Sequence, residues 1–88
     1  MFTQHAQARM QQRAIPLSAA DVLMDYGEHR RHAGAEVYFL TKRSRSQVLK
    51  TVGKQAFLKL EKALDAYLVV GDDGTVITAA HRLQRLKF

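Results

Sequence analysis

Apolar positions along the 88-residue chain recur with two different periods, and the changes between them divide it into helices and strands. Ala6, Met10 and Ala14 recur every four residues, which predicts a helix from about Thr3 to Ala14 with Thr3 as its cap. Ile15, which precedes Pro16, is pushed out of the α region and ends it. In Leu17-Ser18-Ala19-Ala20-Asp21-Val22 an N-cap is followed by an acidic residue at the third helical position, and Val22, Leu23 and Tyr26 then share one face. Gly27 suits a left-handed C-cap, so the first two helices are expected to form a hairpin. Residues 28–32 are charged and weakly patterned, as an edge strand can be. Gly34 provides a turn before Val37-Tyr38-Phe39-Leu40-Thr41, rich in β-branched and aromatic residues.

Ser44-Arg45-Ser46-Gln47 has the form of a capping box, and Val48, Leu49, Val52, Ala56, Phe57, Leu60, Ala63 and Leu64 fall within half of a helical wheel. These predict a third helix over about 45–64, with Lys50 and Lys54 on its outer face near Leu58 and a local weakness of about 1 kcal/mol at Gly53. A last hairpin joins Ala66–Val70 to Thr75–His81 through Gly71-Asp72-Asp73-Gly74, where Gly74 supplies the positive φ of a tight or bulged turn. Apolar residues on both faces of its strands suggest central positions in a sheet. Alternation puts Thr78, Ala80 and Arg82 on one face and Ile77, Ala79 and His81 on the other, so the two sets cannot line one site unless the strand twists or bulges near its end. The expected fold is α+β, with two N-terminal helices packed on a mainly antiparallel four-stranded sheet and a long helix inserted between its two hairpins.

Composition narrows the class. No Pro/Gly/Ser-rich linker interrupts the chain, which reads as one small domain burying roughly 60–65% of its unfolded surface, as a monomer or a small homo-oligomer. The lack of cysteine removes disulfides and thiolate zinc sites and fits an intracellular setting. The longest apolar run, Ala66–Val70, is too short to span a bilayer, and the first residues lack the order of a signal peptide, so a soluble, cytoplasmic protein is expected.

Charge sharpens the picture. The formal net charge is +6 and the sequence pI about 10.1. Lys42, Arg43, Arg45, Lys50, Lys54 and Lys59 follow one another with no acidic residue between, and Arg82, Arg85 and Lys87 make a second basic stretch. This is the footprint of a phosphate-backbone binder, with Lys42, Arg43, Arg45, Lys50, Lys54, Arg82 and Arg85 as candidate nucleic-acid contacts. A solvated basic surface, or one that meets an acidic protein, would have the same composition.

The candidate chemistry lies towards the two ends. His5, Arg9 and Arg13 recur at four-residue spacing and form a polar stripe along the first helix, while Thr78, His81 and Arg82 stand at the end of the last strand. Two arginines four apart repel, which is easier to understand if an anion sits across them. Plainer readings stand beside these. His5 can reinforce helix packing, Arg9 and Arg13 can pair with Asp21, Asp25 or Glu28, and Thr78 is a good strand residue. His81 and Arg82 can be a solvated strand end, and Tyr38 and Tyr67 suit a core as well as base stacking. His29 and His32 lack the further ligands of a metal site, and no cofactor or metal is expected. No Gly-rich phosphate loop, paired-carboxylate catalyst or Ser- or Cys-centred triad can be assembled from the chain.

The ordered set His5-x3-Arg9-Met10-x2-Arg13-x-Ile15, Asp21-Val22-Leu23 with Gly27-Glu28, Tyr38-Phe39-Leu40 and Gly71 to Thr78 resembles the bacterial family called domain of unknown function 4258. Residues 42–64 look like a helical insertion relative to its shorter members. That family is similar in turn to the barnase, EndoU, colicin and RelE-like group of small ribonucleases. The resemblance implies metal-independent cleavage or binding of RNA, often by a toxin held by an antitoxin. It implies a 2′-OH attack on phosphorus with departure of the 5′-oxygen, in which His5 serves as base or acid, Arg9 and Arg13 hold the phosphate and Thr78 donates to a non-bridging oxygen; His81 as base or acid and Arg82 as a further clamp rest on the local reading of the last strand. The partners it implies are RNA and an acidic antitoxin or regulatory protein.

Overall fold

The computed structural model describes residues 2–81. Its elements in chain order are α1 (Gln4–Gln12), α2 (Leu17–Tyr26), β1 (Glu28–His32), β2 (Ala35–Phe39), α3 (Lys42–Val52), α4 (Lys54–Leu60), a 3-10 turn (Ala63–Asp65), β3 (Ala66–Val70) and β4 (Val76–His81). The strands form one sheet in the order β1-β2-β3-β4, every neighbour antiparallel. The fold is therefore α+β, with two N-terminal helices and a helical segment between two hairpins. No described helix is long and apolar enough to cross a membrane.

The helices cover one face of the sheet. Ala66, Leu68 and Val70 of β3 and Val76 and Ala79 of β4 pack with Ala6 and Met10 of α1, Ala19, Ala20 and Leu23 of α2, and Val48 of α3 in one buried cluster. Paired residues share a face, so the register Leu68↔Ala79 and Val69↔Thr78 sets Thr78 on the opposite side, with Val37, Tyr67 and Val69.

Several ends differ from the sequence expectation. Thr3 does cap α1, its hydroxyl accepting from the Ala6 N–H at 3.0 Å. The helix stops at Gln12, earlier than Ala14, because Ala14 turns left-handed (φ 54°). The Ala14 N–H then donates to the Gln11 carbonyl and the Ile15 N–H to the Met10 carbonyl, which is a Schellman closure. α2 begins at Leu17 with Pro16 in the cap position and no side-chain cap, so Ser18 lies inside the first turn. Gly27 is extended (φ −72°) and does not take the left-handed cap. Its missing Cβ is what matters, since one there would sit 2.3 Å from the Leu23 carbonyl oxygen and 2.8 Å from that of Phe39.

The single helix expected over 45–64 is two helices. Gly53 adopts φ 87° and ψ 164°, a region open to glycine, and breaks the ladder between α3 and α4. The capping box is set by Thr41 and Ser44 and starts α3 at Lys42: the Ser44 N–H donates to Thr41 Oγ1 at 3.2 Å and the Thr41 N–H to Ser44 Oγ at 2.7 Å. In the last hairpin β3 is central as expected, but β4 is an edge strand. Ile77 is an extra residue between the pairs Val70↔Val76 and Val69↔Thr78, and it is 41% exposed instead of sharing the buried face of Ala79.

Candidate functional site

α1 runs alongside β4 and is tied to it at both ends. The Thr3 N–H donates to the Val76 carbonyl at 3.0 Å, and the Thr3 hydroxyl to the Ile77 carbonyl at 3.1 Å. At the far end His81 Nε2 lies 2.7 Å from the Arg13 carbonyl oxygen. A carbonyl only accepts, so Nε2 carries the proton and Nδ1 is left for other use. The bond satisfies one of the carbonyls that a helix C-terminus leaves without a partner.

Between these anchors the stripe His5, Arg9 and Arg13 faces outward. His5 and Arg13 are exposed and Arg9 is half-buried. The ion pairs among the described residues are made by Arg31 and Arg45, and His29 contacts Glu36; none engages Arg9 or Arg13, and neither pairs with Asp21, Asp25 or Glu28. The stripe thus presents two arginines without a carboxylate across them.

The structure separates the other candidates. His5 and Arg13 are eight residues apart, or ~12 Å along the axis of α1, so His81, fixed at the Arg13 end, does not flank the same point as His5. Thr78 is on the opposite face of the sheet from α1, and the bulge precedes it at Ile77, so no twist brings it round. His5, Arg9 and Arg13 are brought together; His81 adjoins their far end through the backbone; Thr78 stands apart.

The basic helix is less uniform than the sequence suggests. Arg45 donates to Asp65 at 2.9 Å and holds the start of α3 against the turn that enters β3, so it is a structural residue. Lys42, Arg43, Lys50 and Lys54 are exposed and have no acidic partner among the described residues. Arg82 and Arg85 lie outside the described residues. Lys59 and Lys62, which are not among the candidate contacts named from the sequence, line a groove of about 470 Å³ with Met10, Gln11, Ala14 and Ile15, next to the end of the arginine stripe. Their i, i+3 spacing was the available signal, but nothing local to α4 says that it meets α1.

At the β1 edge of the sheet, far from α1, Arg31 reaches over β2 to Asp72 at 2.8 Å. The guanidinium holds the Asp72 carboxyl below the usual aspartate range, and Asp72 in turn raises Arg31 further. Asp73 is also lowered, by the hydrogen bond it accepts from the Thr75 N–H at 3.0 Å. Among the described residues no three His, Asp or Glu side chains come together as metal ligands would. No family model, curated protein or solved structure matches the chain. The resemblance to a family rests on the motifs of the sequence alone.

Proposed function

We propose that the protein is a cytoplasmic RNA-directed domain of the small metal-independent ribonuclease kind, kin to the domain of unknown function 4258 family, which grips RNA phosphodiesters along α1. The observation that carries this reading is the outward stripe of His5, Arg9 and Arg13, whose arginines have no carboxylate partner among the described residues. Arg9 and Arg13 stand ~6 Å apart along the helix axis, close enough for both guanidinium groups to reach one phosphodiester. His5, one turn before Arg9, is the base that takes the proton of the 2′-OH as that oxygen attacks phosphorus; the bond from phosphorus to the 5′-oxygen breaks, a 2′,3′-cyclic phosphate is left, and the departing oxygen takes its proton from water. The arginines stabilise the charge that builds on the non-bridging oxygens. His81 anchors the Arg13 backbone and acts as a positioning residue, and Thr78 belongs to the sheet.

The test is cleavage of structured and unstructured RNA by purified protein, with and without chelator. The expected result is cleavage that persists in chelator and slows by about 100-fold or more in His5→Ala. A properly folded protein that cleaves no RNA overturns the catalytic part.

A second reading, a non-catalytic RNA-binding module, is favoured by Lys42, Arg43, Lys50 and Lys54, which have no acidic partner among the described residues. If they carry the contacts, log affinity falls with log salt at a slope of about −3 for single-stranded RNA, and His5→Ala changes nothing. A filter-binding series in salt separates the two readings.

A further inference from the structure

The groove that Lys59 and Lys62 share with the end of α1 has two unlike walls. Glu61 and Lys62 keep helical dihedrals beyond α4, so Lys59 and Lys62, three apart, stand on one side of the segment. Both are exposed and have no acidic partner among the described residues, and Glu61, between them in the chain, is not part of the lining. The other wall comes from α1 and the bend after it, as Met10, Gln11, Ala14, Ile15 and Pro16. Met10, Ile15 and Ala63 are buried and make an apolar floor, while Gln11 is exposed.

A second hollow of about 280 Å³ shares Met10, Gln11 and Ile15 with the groove and adds Gln7 and Leu17. Leu17 is 58% exposed. The apolar lining thus continues past the lysines into a part that holds no charged side chain. A ligand suited to both parts has a flat, weakly polar body and an anionic group at one end. A thioether such as that of Met10 is a favourable neighbour for an aromatic ring. The Gln11 amide offers a donor and an acceptor to the ring's edge, and lysine ammonium groups bind phosphate as point charges. At about 470 Å³ the groove falls within the ~300–1,000 Å³ of small-ligand sites.

We propose that this groove is a nucleoside-phosphate site, with the base laid against Met10, Ile15 and Pro16 and the phosphate held by Lys59 and Lys62. Under the RNA reading, on which this step rests, the occupant is a nucleotide that flanks the phosphodiester gripped by Arg9 and Arg13, because Ala14 and Ile15 of the lining directly follow Arg13. A base seated there has left its stack, so the groove selects single-stranded RNA over duplex. A free nucleotide presents the same chemistry, and the arms of the test separate the two sources.

The probe is adenosine 3′,5′-bisphosphate, titrated into the intact isotope-labelled chain and followed by amide NMR, beside adenosine and inorganic phosphate. The expected result is shifts centred on residues 10–16 and 59–63, with adenosine and phosphate each binding at least ten-fold more weakly. Lys59→Gln/Lys62→Gln, checked for fold by circular dichroism, is expected to weaken the bisphosphate at least ten-fold. The same variant is expected to flatten the salt slope for single-stranded RNA by about 1.4, the share of two phosphate contacts, and wild type to bind duplex RNA more weakly than single strands. Bisphosphate binding without RNA binding would keep the groove as a free-nucleotide site and remove the RNA reading. RNA binding that the lysine variant leaves unchanged would remove the groove and keep the stripe on α1. Shifts centred elsewhere, equal binding of a Glu-Leu peptide, or no shifts at millimolar bisphosphate would each overturn the proposal.

Discussion

Ala14 carries more of the site's geometry than its small side chain suggests. It turns left-handed at φ 54° to close α1, and the same turn presents the Arg13 carbonyl to His81. Glycine fits that conformation without the Cβ penalty of about 1–2 kcal/mol, but gives back about 0.5–1 kcal/mol through the freer unfolded chain. Ala14→Gly is therefore expected to stabilise the protein by about 0.5–1 kcal/mol, a rise of about 2–8 °C in Tm. Thermal melts followed by circular dichroism check it, and a lower Tm would mean that the Schellman closure is not formed. Gly27 teaches the converse. Glycine there is required by two carbonyl oxygens closing on it, not by its φ, and only the fold around it reveals that.

The break at Gly53 was hidden by a pattern that continues straight through it. Val48 is buried, and Val52, Phe57 and Leu60 pack against the same core from both sides of the break, so the apolar positions still fall within one half-wheel. Periodicity reports which face is buried and is indifferent to whether one helix or two carries it. Because φ 87° and ψ 164° is essentially a glycine conformation, Gly53→Ala is expected to cost about 1–3 kcal/mol. Urea unfolding measures that cost; a gain in both stability and helical ellipticity would show α3 and α4 fusing instead. Legibility follows the same logic elsewhere. The spacing of His5, Arg9 and Arg13 and the alternation that parts Thr78 from His81 were readable, because both are local. The extra residue Ile77, the Arg45–Asp65 pair twenty residues apart and the meeting of Lys59 with α1 were not, because each depends on where a distant element comes to lie.

At the scale of the whole molecule, the Arg31–Asp72 pair spans from the β1 edge to the turn between β3 and β4 and ties the two hairpins together on the surface. Asp72 and Asp73 bind their protons less readily folded than unfolded. Their contribution is thus present above the ordinary aspartate value of about 3.9 and is lost as pH falls through the lower folded values. Thermal melts between pH 6 and pH 2.5 are expected to show wild type losing more stability on acidification than Asp72→Asn; parallel curves would remove the pair from the account. The bonds of α1 to β4 have a different consequence, in time. Residues 3 and 77, and 13 and 81, are 74 and 68 positions apart, so α1 makes its bonds to the sheet only after the β3–β4 hairpin exists. Closing such distant contacts is slow. The stripe of His5, Arg9 and Arg13 therefore reaches its place beside β4 only once that hairpin has been made.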